Sequence, residues 1–274
     1  MNTLKTGILL ALVGAIAVGL GAAFLGKSGM LIGLAIALVF QGVSLFAGHK
    51  IAISFARGRE LQPSELPWLW QAADRLSQRA GIPVPKLYLS PDPQPNAFAA
   101  GWKPSVAVIC INEGLIRLMP QDEVIAVMAH EMGHIKNRDM LTMTVAAAAA
   151  TFISFIARLA YFVPMGDNRN RNPLVELLMV ILAPITATII QLAISRTREF
   201  GADQAAAELI GDSKPMIHAL ESLDRGTHQI ESPLAQPATA HMYIASPFRG
   251  TGLMKLFSTH PPIEERIRAL EALG

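Results

Sequence analysis

The sequence predicts an α+β protein, mostly helical with a small β-sheet, joined to about four transmembrane helices. The first observation behind this is the distribution of charge. The 274 residues carry 23 basic and 21 acidic side chains, 16% of the chain, and 51% are hydrophobic. Average soluble domains hold about 25% charged residues. Residues 1–50 carry only Lys5, Lys27 and Lys50, and residues 141–195 only Arg158, Asp167, Arg169, Arg171 and Glu176. The other 169 residues hold 36 charges, an ordinary soluble density. The second observation is a set of short apolar runs bounded by proline and glycine between residues 85 and 111, which read as strands. The third is apolar recurrence at three- to four-residue spacing in most of the remaining soluble part, which reads as helix. The apolar content excludes an intrinsically disordered chain. Cys110 is the only cysteine, which excludes a disulfide scaffold. A net charge of +2 carries no footprint for nucleic acid.

Taken in order, residues 1–50 form a transmembrane hairpin. Thr6 to Gly26 is uncharged between Lys5 and Lys27, and Ser28 to Gly48 is uncharged up to His49 and Lys50. Each run is long enough to cross a hydrocarbon core of about 30 Å. A cleaved signal peptide is the other reading of the first run, and the second full-length span that follows at once counts against it. Gly29 and Gly33 form a GxxxG pair suited to close helix packing. Lys5, Lys50, Arg57 and Arg59 flank the hairpin, and Lys27 sits alone in its turn. The positive-inside rule then places both chain ends and the soluble part in the cytoplasm.

Residues 51–140 are the first part of the soluble domain. Pro67 to Ala80 has helical periodicity, Pro85–Pro91 alternates as a strand, and Asn96–Ala100 and Val106–Ile111 are two more strands around a Gly101–Pro104 turn. A helix starts near Gln121, with Asp122 and Glu123 in its first turn. Residues 141–194 form a second hairpin: Leu141–Val163, the polar turn Pro164–Pro173, and about Leu174 to Ile194. Two long core helices are the competing reading, but about 170 other residues are too few to bury both. Residues 195–274 complete the soluble domain, with helices over 201–223 and 262–273 and a surface loop over 225–253, rich in Pro, Ser, Thr and Gly.

The helix after Pro120 contains His130-Glu131-Met132-Gly133-His134. Positions i and i+4 share a helix face, so both imidazoles reach one Zn²⁺. Glu131 then sits beside the metal, placed to take a proton from water. A helix with two satisfied histidines is the plainer account. Gly133 counts against it, because glycine costs a helix interior about 1 kcal/mol and needs a reason such as close approach. A catalytic zinc usually has three protein ligands. Glu199, just past the second hairpin, returns to the end of the HExxH helix and supplies the third. Asp203, one turn on, can accept the second ring N–H of a zinc histidine. A solvated acidic face near Arg196 and Arg198 is the alternative for both carboxylates.

HEMGHIKNRD, two membrane spans and then SRTREFGAD resemble the HtpX-type membrane zinc metalloproteases, whose wider family includes the CAAX prenyl-protein proteases. The resemblance covers nearly the whole chain. It implies a zincin-like fold, one zinc per chain held by His130, His134 and Glu199, Glu131 as general base and Asp203 behind the metal. It implies that Asn96, Ala97, Phe98 and Ala99 form the edge strand that pairs with a peptide substrate. From prenyl-protease relatives it implies that His260 and Arg266 face the developing oxyanion; helix capping is the plainer role for His260. His241 also matches such sequences, without a mechanism. The expected function is zinc-dependent cleavage of misfolded or damaged membrane proteins by a multi-pass enzyme of a bacterial inner membrane, its catalytic domain cytoplasmic. Its partners are those substrates and the lipid bilayer, with no nucleic acid. A CAAX-type processing protease and a non-catalytic membrane adaptor or chaperone are the alternatives. Nothing in the sequence speaks to oligomeric state or regulation.

Overall fold

A computed structural model describes residues 2–146, 196–235, 242–245 and 261–273. The chain opens with α1 (Asn2–Phe55), broken at Gly26, whose φ of 62° and ψ of −145° leave the helical region. The two arms fold back on each other. A Cβ on Gly33 would strike the carbonyl of Ala17, and one on Gly21 the carbonyl of Gly29. Gln41 Nε2 donates to Leu10 O at 3.0 Å. Partner numbers fall on either side of Gly26 as an antiparallel hairpin requires, and the GxxxG pair lies in its seam. Among the described residues one helix is long and apolar enough to cross a membrane, the 30-residue arm Gly26–Phe55. Only 17% of its most apolar window is buried, so it is no core helix. Leu31, Leu38, Val39 and Phe46 stand exposed along it. Of the expected third span, Leu141–Val163, residues 141–146 are helical and the rest lies outside the described residues, as does the whole of the fourth, about 174–194.

The soluble part builds a four-stranded mixed sheet from β1 (Arg59–Glu60), β2 (Lys86–Ser90), β3 (Ala97–Ala100) and β4 (Val108–Asn112), in the order β1-β2-β4-β3. β2 and β4 run parallel; β3 pairs antiparallel with β4, in the register Phe98↔Cys110. β4 is central and wholly buried, and β3 is an edge. Strand alternation sends Leu87, Leu89, Ala97, Ala99, Ile109 and Ile111 to the main core. On the other face, Phe98, Ala100, Val108 and Cys110 pack on Ile53 near the end of α1. The hairpin is thereby joined to the sheet that carries the site.

Helices cover the main face. α2 (Pro67–Ala80) starts at a proline, buries Leu69, Ala72, Ala73 and Leu76, and ends at Gly81 in the left-handed region. α3 (Glu113–Leu118) is short. α4 (Gln121–Lys136) is buried without a break from Ala126 to Ile135, so it runs through the centre of the core. Residues 139–146 are helical again. The single helix expected over 201–223 is instead two, α5 (Arg196–Ile210) and α6 (Lys214–Gln229). Gly211 at φ 90° ends the first, and Pro215 suits the first turn of the next. The expected loop over 225–253 also needs correction. α6 continues to Gln229, and Tyr243, Ile244 and Ala245 are buried, so this part of the segment is core rather than surface. α7 (Ile263–Glu271) closes the domain.

Candidate metal centre

The site forms where α5 crosses α4. A Cβ on Gly133 would lie 3.0 Å from Ala205 Cβ and 3.2 Å from the Ala202 backbone. The missing side chain therefore lets the two helices approach closely, and Glu199 in the first turn of α5 comes down onto the histidine face of α4. His130 and His134 stack edge to face with ring centroids 4.7 Å apart. His130 Nε2 lies 3.8 Å from Glu199 Oε2, and His134 Nε2 lies 3.6 Å from Glu199 Oε1. One ligand atom from each of the three residues falls within 4.8 Å of the others, and all three residues are buried.

The remaining ring nitrogens face carboxylates. His130 Nδ1 is 2.9 Å from Asp203 Oδ1, and His134 Nδ1 is 3.1 Å from Asp139 Oδ2. This leaves both Nε2 atoms for a common guest. Two imidazoles and one carboxylate, buried and oriented by further carboxylates, are a donor set that suits Zn²⁺. Calcium or magnesium prefers oxygen donors. The residues present therefore fit a zinc ion.

Glu131 points to the sheet: its Oε2 accepts the Ala99 N–H at 2.7 Å. Burial pushes its carboxyl up, against the opposing pull of the two histidines. For His134, burial alone would lower the pKa, but Asp139, Glu199 and Glu131 raise it to about 9. Burial also works upward on Asp203, and the Arg266 charge and hydrogen bonds outweigh it, holding this carboxyl below its usual range.

The other sequence-derived candidates are placed as follows. Arg266 is fully buried and donates twice to Asp203, from Nε at 2.8 Å and from Nη2 at 2.7 Å. Its Nη1 donates to Ile244 O at 3.1 Å and lies 3.6 Å from Glu199 Oε2. It thus stands behind the histidines, and its contacts differ from those expected of a group facing an oxyanion. His260 and His241 fall outside the described residues. Ala97, Phe98 and Ala99 form the sheet edge beside Glu131. Asn96 precedes that strand, and its carboxamide is engaged elsewhere: Nδ2 donates to Met242 O at 3.0 Å and Oδ1 accepts Ile244 N–H at 3.1 Å. Met242 to Ile244 thus form a second wall facing the histidines across a cavity of about 10 Å³.

Two features escaped the sequence reading. Asp139 lies five residues after His134, off the helical period, and the turn that brings it back depends on Arg138 at a φ of 58°. The role of Met242–Ile244 rests on contacts across more than 140 residues of chain.

Comparison with known proteins adds an independent line. The profile of peptidase family M48 matches residues 63–273. A protease HtpX homolog from Sulfurihydrogenibium sp. is 42% identical over 285 residues, covering all of this chain and 96% of that one. Another from Pelotomaculum thermopropionicum is 43% identical over 281 residues, covering both chains completely. Among solved structures, the crystal structure of S. mikatae Ste24p superposes with a TM-score of 0.53 at 18% identity, covering 98% of this chain and 65% of that one. That likeness is one of fold.

Proposed function

The chain belongs to peptidase family M48 and is an HtpX-type metalloprotease, and on that premise we propose that it is a membrane-integrated, zinc-dependent endopeptidase that cleaves misfolded or damaged membrane proteins. The observation that carries this reading is the convergence of His130 Nε2, His134 Nε2 and Glu199 beside a buried Glu131. A site for metal alone has no use for that extra carboxylate.

When bound, one zinc ion per chain supplies a Lewis acid that polarises a carbonyl and acidifies water. His130, His134 and Glu199 hold it. Glu131 Oε2 takes the proton of the attacking water and returns it to the departing amine. The Ala99 N–H fixes this carboxylate at 2.7 Å, so its direction is set before substrate arrives. β3 is the edge strand next to that base, and an extended peptide pairs with its free side through backbone groups. Such pairing reads little side-chain identity, as a quality-control protease requires. The exposed apolar arm Gly26–Phe55 supports a membrane location, and the Lys and Arg residues flanking the hairpin support a cytoplasmic catalytic domain in a bacterial inner membrane.

Glu131→Gln separates chemistry from metal binding. The purified variant in detergent keeps near-stoichiometric zinc and loses casein cleavage, whereas His130→Ala and Glu199→Ala lose the metal. Chelator-sensitive cleavage by Glu131→Gln would refute the assignment of the base.

A further inference from the structure

We propose that Asp139 is a positioning residue of the metal centre, doing for His134 what Asp203 does for His130. The inference rests on the reading that His130, His134 and Glu199 hold a metal. Each imidazole has two nitrogens, and only one can face the ion. Both Nε2 atoms lie toward Glu199, at 3.8 and 3.6 Å. Both Nδ1 atoms lie at hydrogen-bond distance from a carboxylate, Asp203 at 2.9 Å and Asp139 at 3.1 Å. A ring held at Nδ1–H by a carboxylate keeps its proton there, presents Nε2 to the metal and cannot rotate away.

The chain path serves this contact. α4 ends at Lys136, where Asn137 N–H bonds Gly133 O at 2.9 Å. Arg138 then adopts a φ of 58°, uncommon for a residue with a side chain, and the turn carries Asp139 back beneath His134. Asp139 is 2% exposed, so it is no solvated surface acid. A carboxylate in that setting needs partners. Each histidine therefore has its own carboxylate, Asp203 for His130 and Asp139 for His134.

The two arms lead to different parts of the molecule. Asp203 and Arg266 tie His130 to α7 and, through Ile244 O, to the second wall. Asp139 opens the helical residues 139–146, whose Thr142 hydroxyl meets that of Thr6 at 3.1 Å and whose Thr144 side chain packs on Gly48. Asp139 thus begins a segment that packs on the α1 hairpin, a second link beside the Ile53 contact with β3.

The plain alternative is that Asp139 only caps the helix it begins. Asp139→Ser keeps a capping oxygen but is too short to reach His134, and Asp139→Asn keeps both the reach and an acceptor. Zinc affinity is read by chelator competition, ligand geometry by the visible spectrum of the cobalt-substituted protein, and folding by the unfolding midpoint of the metal-free protein, all on the full chain in detergent. Asp139→Ser is expected to weaken zinc binding about 10–100-fold and to alter the cobalt spectrum, by more than any fall in the metal-free midpoint accounts for. Asp139→Asn should lie between it and the parent. Wild-type zinc affinity in Asp139→Ser overturns the proposal, and so does an affinity loss matched by lost stability of the metal-free form. His134→Ala is the control. If it keeps zinc, the metal-site reading fails; if it loses zinc while Asp139→Ser does not, only the role of Asp139 falls.

Discussion

Arg266 has two candidate roles that a stability measurement separates. Resemblance put its guanidinium against an oxyanion, and its bonds in the structure go to Asp203 and Ile244 O. Removing a donor that acts only in the transition state lowers turnover and leaves the fold alone. Removing one partner of a buried ion pair strands the other charge, at a cost of about 3–5 kcal/mol. Arg266→Met is therefore expected to unfold much more easily than the parent, as read by denaturant titration in detergent. Wild-type stability with reduced turnover would return Arg266 to the oxyanion. Cys110 gives a second test at this scale. Burial in β4 pushes its thiol up to about 12. The native protein should fail to react with an aromatic disulfide reagent at pH 8 and react once denatured. Because the folded pKa is raised, the thiol's contribution to stability is complete below about pH 8.5 and is lost as pH climbs from there toward 12.

At the scale of elements, the crossing of α4 and α5 decides whether the ligands meet. Gly133→Ala sets two effects against each other. Alanine favours the helix by about 1 kcal/mol, but its Cβ would sit 3.0 Å from Ala205 Cβ and 3.2 Å from backbone atoms of Ala202. Backbone cannot swing aside as a side chain can, and overpacking costs about 1–3 kcal/mol. The helices should spread, lifting Glu199 from the histidines, so the variant is expected to bind zinc more weakly in chelator competition. Unchanged affinity would mean that the crossing tolerates a methyl group. Elements were legible in the sequence where their signal is local. Pro67–Ala80 carries its own period and caps, and the HExxH spacing is a property of one helix turn. The break at Gly211 was missed because the alanines before it and the apolar residues after it continue one period. The carboxamide partners of Asn96 lie 146 and 148 residues away, so no local pattern announces them. Asp139 depends on one left-handed residue, and no periodic pattern announces such a turn.

At the scale of the molecule, the question is how the apolar arm and the sheet share one orientation. The arm Gly26–Phe55 runs into the packing of Ile53 against Phe98, Val108 and Cys110, so the soluble domain sits at its C-terminal end. At 1.5 Å per residue its 30 residues reach about 45 Å, more than a hydrocarbon core of about 30 Å. If the arm crosses a bilayer, the turn at Gly26 lies on the face opposite the metal centre. Ser28, beside that turn, and Ser64, in the soluble domain, are both exposed. Cys110 is buried, so single cysteines at these positions can be read against a silent background. With a membrane-impermeant maleimide, Ser28→Cys is expected to label in intact cells once the outer membrane is opened. Ser64→Cys should label only after the inner membrane is broken. Labelling of both from the same side would leave the arm lying along the membrane surface and remove the basis for a catalytic domain anchored across it. The reverse pattern would keep the span and move the protease to the other face.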